Sequence, residues 1–299
     1  MVAPTLLVLA AGKGSRYGGV KVIEPVGPQG ETLLEYSLYD ARKAGFARIV
    51  FVIRRDIDHA IKETLGARIM RNFAVEYVYQ DLVRIPWGYQ VPLERSRPWG
   101  TTHAVLCAAG KIREPFAVMN VDDFYGAQSY ATLAHYLHAG AAECAMVGYV
   151  LRNTLPDTGP VARGVCQLDD HGFLQGIVEY KNVERQNGHA VCIDAAGLEM
   201  KLTGNEVVSM NLWGFHPEVF EPMADQFEDF LKVHGDDLET ECYLPNTVHN
   251  LITEGRMRVK VLASVDPWFG VTYRDDHARA IQTIRHMIEA GYYPRHLWA

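Results

Sequence analysis

Cysteine is scarce in this chain and never paired at short spacing. The five cysteines, Cys107, Cys144, Cys166, Cys192 and Cys242, are scattered over 299 residues with no CxxC element. That excludes a disulfide framework and a zinc ribbon and predicts buried, reduced thiols. No HExxH motif occurs among the 12 histidines; His135 and His138 fall on a predicted helix and read as a solvated face rather than a zinc site. Basic residues are outnumbered, 29 against 36 acidic ones, for a formal net charge of -7. A general nucleic-acid binder needs a basic face to displace counterions, so the balance argues against one. Long hydrophobic runs are missing as well. Nothing approaches the ~18 apolar residues of a membrane span, and the opening apolar run flows into glycines rather than a signal-peptide cleavage site. A soluble, cytoplasmic protein with no membrane partner is expected. Hydrophobic residues still make up 48% of the chain, ample for one large α/β domain or two smaller ones.

What is there concentrates in Leu6 to Lys21, LLVLAAGKGSRYGGVK. Leu6 to Ala11 reads as a buried strand that breaks into a loop holding Gly12, Gly14, Gly18 and Gly19 with Lys13, Arg16 and Lys21. Glycines let backbone amides approach a phosphate, and the cations neutralise it. A P-loop fails by position: from Gly14 the second glycine falls at Gly19, but Val20 follows and Lys21 comes one place late. A dinucleotide fingerprint fails too, because Tyr17 stands where its third glycine belongs and Asp56 is far too distant to be the ribose acid.

Pro25 and Pro28 exclude regular structure until Leu33. A helix then fits Leu34, Leu38 and Ala41 and ends at Gly45. Ile49 to Ile53 reads as a second strand, Asp56 to Leu65 as a second helix and Val75 to Tyr79 as a third strand. This alternation predicts an α/β fold with a doubly wound, mainly parallel central sheet, whose ligands lie beyond the carboxyl ends of the strands. Gln80 closes the third strand. The proline-punctuated segment Asp81 to Pro98 has the length of a lid that would bring Arg95 or Arg97 to a substrate phosphate. Gly100 and Thr101 open a helix to Ala109, with Thr101 a natural N-cap. A fourth strand, Phe116 to Val121, delivers Asn120, Asp122, Asp123 and Tyr125 to the same edge, where paired carboxylates suit a metal or a turn.

A helix from Ser129 to His138 and a strand from Cys144 to Val150 follow. The pattern then shortens to an antiparallel hairpin, Gly164 to Leu168 and Phe173 to Val178, and a protruding polar segment, Asn187 to Asn205. The strand Val207 to Phe215 contains Asn211, an amide that needs a partner in the core or in a ligand. Helices at Pro217 to Lys232 and Leu244 to Glu254, a strand at Val259 to Leu262 and a final helix, Ala278 to Ala290 capped by Asp276, complete the reading.

The run Leu9-Ala10-Ala11-Gly12-Lys13-Gly14-Ser15-Arg16, followed closely by Lys21, resembles the signature of the sugar-phosphate nucleotidyltransferases, the nucleoside-diphosphate-sugar pyrophosphorylases. The resemblance extends over almost the whole chain. It implies a Rossmann-like nucleotidyltransferase fold with a smaller antiparallel sugar-binding portion, as a single domain over 1–299 with a nucleotide-binding half (1–150) and an acceptor-binding half (151–299). The implied substrates are a nucleoside triphosphate and a sugar 1-phosphate. Ala10, Ala11, Gly12, Gly14 and Ser15 would wrap the triphosphate, Arg16 would hold the departing pyrophosphate, and Lys21 would contact phosphate near the reacting centre. Gln80, Gly100 and Thr101 would form the base pocket. The segment VMNVDDFYG resembles the family's metal-binding strand end, which implies Asp122 as the Mg2+ ligand with Asp123 beside it. In the hairpin LDDHGFLQGIVEYK, Glu179 would grip sugar hydroxyls, Lys181 would lie near the sugar phosphate and Gly164 would offer a backbone contact; Asn211 would face the sugar. The sequence departs from the family at Thr272, where an aspartate or asparagine usually gives the second metal contact. No hexapeptide array follows, so the acyltransferase extension of some relatives is not expected. Cytidylyl transfer to phosphocholine or a similar phosphoalcohol stays open, as do a non-catalytic nucleotide-sensing protein of the same fold and, with less support, a dehydrogenase. Related enzymes often assemble, which leaves a homo-oligomer open. Base and acceptor are decided by a few pocket contacts.

Overall fold

Alternate residues of the first strand bury into two separate cores, which is why its sequence is apolar without a break. A computed structural model describes residues 3–12, 23–156, 159–186, 189–193, 198–271 and 274–298. The first half runs β1 (Thr5–Leu9), α1 (Leu33–Lys43), β2 (Arg48–Ile53), α2 (Asp58–Ile61), α3 (Ala67–Met70), β3 (Ala74–Tyr79), α4 (Thr101–Leu106), β4 (Phe116–Asn120), β5 (Asp123–Phe124), α5 (Ala127–His138) and β6 (Cys144–Val150). Leu6, Val8 and Ala10 join one core with Leu34, Leu38 and Ala41 of α1 and Tyr130, Leu133 and Leu137 of α5. Leu7, Leu9 and Ala11 join another with Ala104 and Val105 of α4. Each buried leucine or valine among these contributes roughly 1.5–3 kcal/mol on leaving water.

The second half gives β7 (Val161–Leu168), β8 (Leu174–Gln186), β9 (His189–Ile193), β10 (Glu199–Leu202), β11 (Val207–Phe215), α6 (Phe220–His234), α7 (Leu244–Thr253), β12 (Val259–Ser264), β13 (Phe269–Gly270) and α8 (Arg274–Glu289). Strands β3, β2, β1 and β4 lie side by side and parallel. Antiparallel β11 joins β4 to β6, and β12 runs parallel to β6. Every strand in this row except β11 therefore points one way, as the doubly wound reading requires. Strands β7 to β10 extend from β11 as an antiparallel meander. The strand order reverses between β1 and β4, and the crevice opens beyond their carboxyl ends.

Strand β11 carries the one bend that shapes this crevice. Its register shifts between Ser209, opposite Gly148, and Trp213, opposite Met146. Before the shift Val208 and Ser209 pair with β7, and after it Trp213 to Phe215 pair with β4. Asn211 sits inside the shift at φ +64°, left-handed backbone that asparagine tolerates better than most residues.

Several boundaries differ from expectation. The second helix continues to Met70 through a π-helical stretch, Lys62–Gly66, instead of ending at Leu65. Helix α8 starts at Arg274, so Asp276 lies in its first turn and does not cap it. Thr101 is the first residue of α4, and Gly100 takes the N-cap position. Helix α1 opens on a capping box: the Thr32 hydroxyl accepts from the Glu35 amide, and the Glu35 carboxylate accepts from the Thr32 amide. All five cysteines are buried and unbridged, and no helix among the described residues is long and apolar enough to cross a membrane.

The carboxyl-terminal segment is fastened to α1 by two buried acids. The Tyr293 hydroxyl donates to Asp40 Oδ2 at 2.6 Å, and the Trp298 indole donates to Glu35 Oε1 at 3.0 Å. Burial raises the Asp40 carboxyl to about 7, with the Tyr293 hydrogen bond opposing it. Asp40 therefore keeps its proton longer in the folded chain than in the unfolded one. Its contribution to stability is greatest below about pH 4 and is lost as the pH rises through about 7. Asp40→Asn removes that ionisation and leaves an acceptor for Tyr293. In urea titrations from pH 5 to 8 the variant should lose less stability than the parent, by roughly 2–4 kcal/mol across the range; parallel curves would refute the assignment.

Candidate active site

The crevice begins where β1 ends. The Ala10 amide continues the ladder to the Val52 carbonyl at 2.8 Å, and Ala10 and Ala11 are buried. Gly12 is exposed, and a Cβ placed on it would meet nothing within 4 Å. The turn is anchored from below by a residue that sequence reasoning missed. Arg54, one position past β2, donates to the Ala11 carbonyl at 3.0 Å and the Gly12 carbonyl at 2.5 Å, while Asp56 receives its other edge at 2.9 Å. The adjacent Arg54-Arg55-Asp56 run after a strand was the available signal. Gly14, Ser15, Arg16, Lys21 and Thr272, all singled out from the sequence, lie outside the described residues.

Asp122 lies just past the end of β4, half-buried, with its carbonyl accepting from the Val271 amide at 3.1 Å. Its neighbours in a small cleft include Glu24, Leu34, Val271 and His277. The described residues contain no group of three or more His, Cys, Asp or Glu able to cage a metal. A single carboxylate nevertheless suits Mg2+, which is usually held by one or two carboxylates with phosphate oxygens and water.

On the other side of β1, Gln80 extends from β3 and is buried. Its Nε2 donates to the Gly100 carbonyl at 2.8 Å and lies 3.3 Å from His103 Nδ1. Gly100 has φ +102°, and a Cβ there would stand 2.4 Å from the Cys242 carbonyl oxygen. Glycine is therefore required at 100 by backbone packing, whatever else it does. The Thr101 hydroxyl accepts from the Leu244 amide at 2.8 Å and so ties α4 to the start of α7. The segment 81–98 does not present a cationic lid. Arg95 is buried, donates to the carbonyls of Asp237, Pro98 and Thr240, and lies 3.6 Å over the Trp99 ring. Arg97 pairs with Glu239 and Glu241. Both arginines bind this loop to the segment before α7, and neither is available as the phosphate clamp expected of them.

Beyond β4 a second cleft of about 230 Å³ brings together Asp123, Gly164, Glu179 and Asn211, four of the acceptor residues named from sequence, with Asn120, Ile177, Met210, Pro245 and Trp268. Lys181, the fifth, is exposed and does not line it. The ladder between β7 and β8 slips near that point: Val161 opposes Val183, but Arg163 opposes Tyr180. Gly164 pairs with Glu179, and a Cβ on it would press to 2.7 Å from Ile177. The floor is a directed hydrogen-bond chain. The Trp213 indole can only donate, so Asn211 Oδ1 accepts at 2.7 Å. Asn211 Nδ2 then donates to Asn120 Oδ1 at 2.7 Å, and Asn120 Nδ2 donates to Asp123 Oδ2 at 2.9 Å. The Tyr125 hydroxyl adds a second donor to that carboxylate at 3.2 Å. No amide in the chain can flip without breaking two bonds.

Arg163 was not foreseen. Buried on β7, it donates to Thr154 and to the Ala162 carbonyl and lies 5.0 Å from the Trp268 ring. Burial lowers it to about 10, against the pull of Asp123 and Glu179, so it stays charged at neutral pH beside two carboxylates.

Residues 6–153 match the sequence profile of the MobA-like NTP transferase domain. The chain is 25% identical over 266 residues to the bifunctional protein GlmU of Staphylococcus saprophyticus, a match spanning 87% of this chain and 48% of that protein. It thus spans about half the length of that curated relative. Its fold resembles that of a candidate glucose-1-phosphate thymidylyltransferase from Bacillus anthracis, with a TM-score of 0.62 and 12% identity over 95% of this chain and 96% of the other. A UDP-glucose pyrophosphorylase solved with UDP-glucose gives a TM-score of 0.60 and 14% identity over 95% and 99% of the two chains. The inositol-1-phosphate CTP transferase of T. maritima gives 0.60 and 14% over 96% and 98%. Strand order and crevice position agree with the profile match: over residues 6–153 the chain is similar to the MobA-like NTP transferase domain.

Proposed function

We propose that this protein transfers a nucleotidyl group from a nucleoside triphosphate to a sugar 1-phosphate. An oxygen of the acceptor phosphate attacks the α-phosphorus, the bond to the β-phosphate oxygen breaks, and pyrophosphate leaves. The observation that carries this reading is the pair of clefts flanking the carboxyl end of β4, with Asp122 in one and Asp123, Glu179 and Asn211 in the other. Residues 1–150 would hold the nucleotide and 151–299 the acceptor, in a cytoplasmic enzyme.

Ala10, Ala11, Gly12, Gly14 and Ser15 receive the triphosphate, Arg16 steadies the departing pyrophosphate, and Lys21 offsets charge at the reacting phosphorus. Gln80, Gly100 and Thr101 face the base. Mg2+ held by Asp122 and the phosphates would supply the remaining positive charge that two anionic substrates need. Glu179, Asp123 and Asn211 bind the acceptor, with the Gly164 backbone alongside, and Lys181 approaches its phosphate from the rim. Little covalent work falls to the protein: alignment and preorganised electrostatics lower the barrier.

A hydroxyl-rich acceptor is favoured over phosphocholine. Two carboxylates and two amides match several hydroxyl groups, whereas a quaternary ammonium favours an aromatic cage. Among the described residues, Trp268 is the sole aromatic one lining this cleft. A cyclic polyol phosphate, as in the CTP transferase relative, fits the same chemistry.

Pyrophosphate release should be measured across the common triphosphates crossed with sugar 1-phosphates, inositol 1-phosphate and phosphocholine, with magnesium. Activity with a hydroxyl-rich acceptor is expected. Triphosphate binding without release for every acceptor would replace this reading with a nucleotide-sensing protein. Asp122→Asn should lower turnover about 10²-fold or more while the melting temperature moves little; equal loss of both would make Asp122 a turn residue. Arg16→Ala should also lower turnover about 10²-fold, in the forward direction and in pyrophosphorolysis. An unchanged rate would remove Arg16 from the site.

A further inference from the structure

We propose that Asp266 is a positioning residue for acceptor binding: from outside the second cleft it clamps the segment between β12 and β13 to the first turn of α5, and so sets where Trp268 stands. This rests on the acceptor reading of that cleft given above.

Helix α5 opens without a local cap, because Gly126 holds the N-cap position at φ +85° and has no side chain to offer. The missing acceptor comes from 137 residues away: Asp266 Oδ2 accepts from the Ser129 amide at 2.8 Å and lies 3.1 Å from the Ser129 hydroxyl. A carboxylate at that end also meets the positive pole of the helix. A Cβ at residue 126 would stand 2.5 Å from the Asp266 side chain, so glycine is what lets the carboxylate in. The clamp continues inward. Ser129 and Ser264 are buried with their hydroxyl oxygens 2.7 Å apart, and the Asp266 amide donates to Ser264 Oγ at 3.1 Å. The Tyr149 hydroxyl lies 2.8 Å from Ser129 Oγ and from the Tyr125 carbonyl, which ties the cluster to the sheet.

From this clamp the chain reaches the cleft in two steps, Pro267 and Trp268. Proline holds φ at about −65°, so little slack separates the clamped residue from the indole. Trp268 lines the cleft with Asp123, Glu179 and Asn211, and Asp266 does not. The indole is not held by its own polar group: its N–H is buried and has no acceptor among the described residues. Its surroundings fix it instead. The Arg163 guanidinium lies 5.0 Å from the ring, and on the carboxyl side β13 pairs with β5, Phe269 opposite Phe124 and Gly270 opposite Asp123. A Cβ on Gly270 would stand 2.6 Å from Asp123 Oδ1 and 3.2 Å from the Trp268 ring, so ring and carboxylate approach each other across bare backbone. The Asp266 clamp holds the amino side of the same residue. Loosening it lets the indole shift against Asp123 without removing any group that lines the cleft.

The triphosphate and acceptor with the highest turnover in the parent serve as probes for Asp266→Ala, Asp266→Asn, Trp268→Ala and the double variant Asp266→Ala with Trp268→Ala. Asp266→Ala should raise the acceptor KM about fivefold or more and leave kcat and the triphosphate KM within about twofold, because alignment is lost at one cleft only. Asp266→Asn keeps an oxygen for the Ser129 amide and should restore most of the acceptor KM. Trp268→Ala should raise that KM by itself, and adding Asp266→Ala should change it no further, since nothing is left to position. If Asp266→Ala does not fold, Ser264→Ala removes only the hydroxyl that receives the Asp266 amide, and should shift the acceptor KM the same way by a smaller factor. Acceptor and triphosphate KM rising together, additive effects in the double variant, or an acceptor KM unchanged in the variant that folds overturns the proposal. A parent that turns over none of the acceptors overturns the acceptor reading beneath it.

Discussion

The candidate site of this molecule depends on the reversal of strand order between β1 and β4. Parallel strands deliver all their carboxyl ends to one edge, and at the reversal the connecting segments leave in opposite directions and open a crevice. The turn after β1, Asp122 after β4 and Gln80 after β3 reach that edge for the same geometric reason. Antiparallel β11 breaks the pattern at the right place. By inserting itself beside β4 it brings Asn211 to the same edge from a strand running the other way.

The shift in β11 has a cost that the site explains. A non-glycine residue in the left-handed region loses about 1 kcal/mol or more, and a chain under no other demand would place glycine there. Asn211 persists because its amide is fixed at both ends, by Trp213 and by Asn120. The shift lies at the fork where β7 and β4 take turns as partners of β11, and the second cleft opens there.

The central sheet was legible because burial on both faces forces uninterrupted apolar runs. Cys144–Val150 and Val207–Phe215 match the sequence reading at both ends. Asp123, Gly164, Glu179 and Asn211, named from family motifs, fall in one cleft. What escaped was set by distant partners. Arg95 resembled a mobile cation in a proline-rich loop, yet its acceptors Asp237 and Thr240 lie more than a hundred residues on. His103 stood inside a recognised helix start, but its partners are the Gln80 amide and the Arg84 carbonyl. Arg163 precedes Gly164 and was hidden by it, because nothing local shows that its strand turns that side chain beneath Trp268. Lys181 followed Glu179 in the motif, yet it is exposed and does not line the cleft that Glu179 lines. Periodicity reports burial; it does not report which buried charge meets which carbonyl.

Charge then limits what the site can do unaided. The proposed substrates, a triphosphate and a sugar phosphate, would bring several negative charges to an edge already carrying Asp122, Asp123 and Glu179, in a protein with an overall acidic balance. Two guanidiniums among the described residues near the crevice are tied to the scaffold: Arg54 grips the carbonyls of Ala11 and Gly12, and Arg163 grips Thr154 and Ala162. Direct neutralisation of phosphate oxygens would then fall to other cations: Lys13, Arg16 and Lys21 of the glycine-rich run are the candidates in the sequence, and a divalent cation on Asp122 would be another. On this argument the loop's glycines and its cations are one requirement, since amides that approach phosphate closely are of use only where positive charge can follow them in.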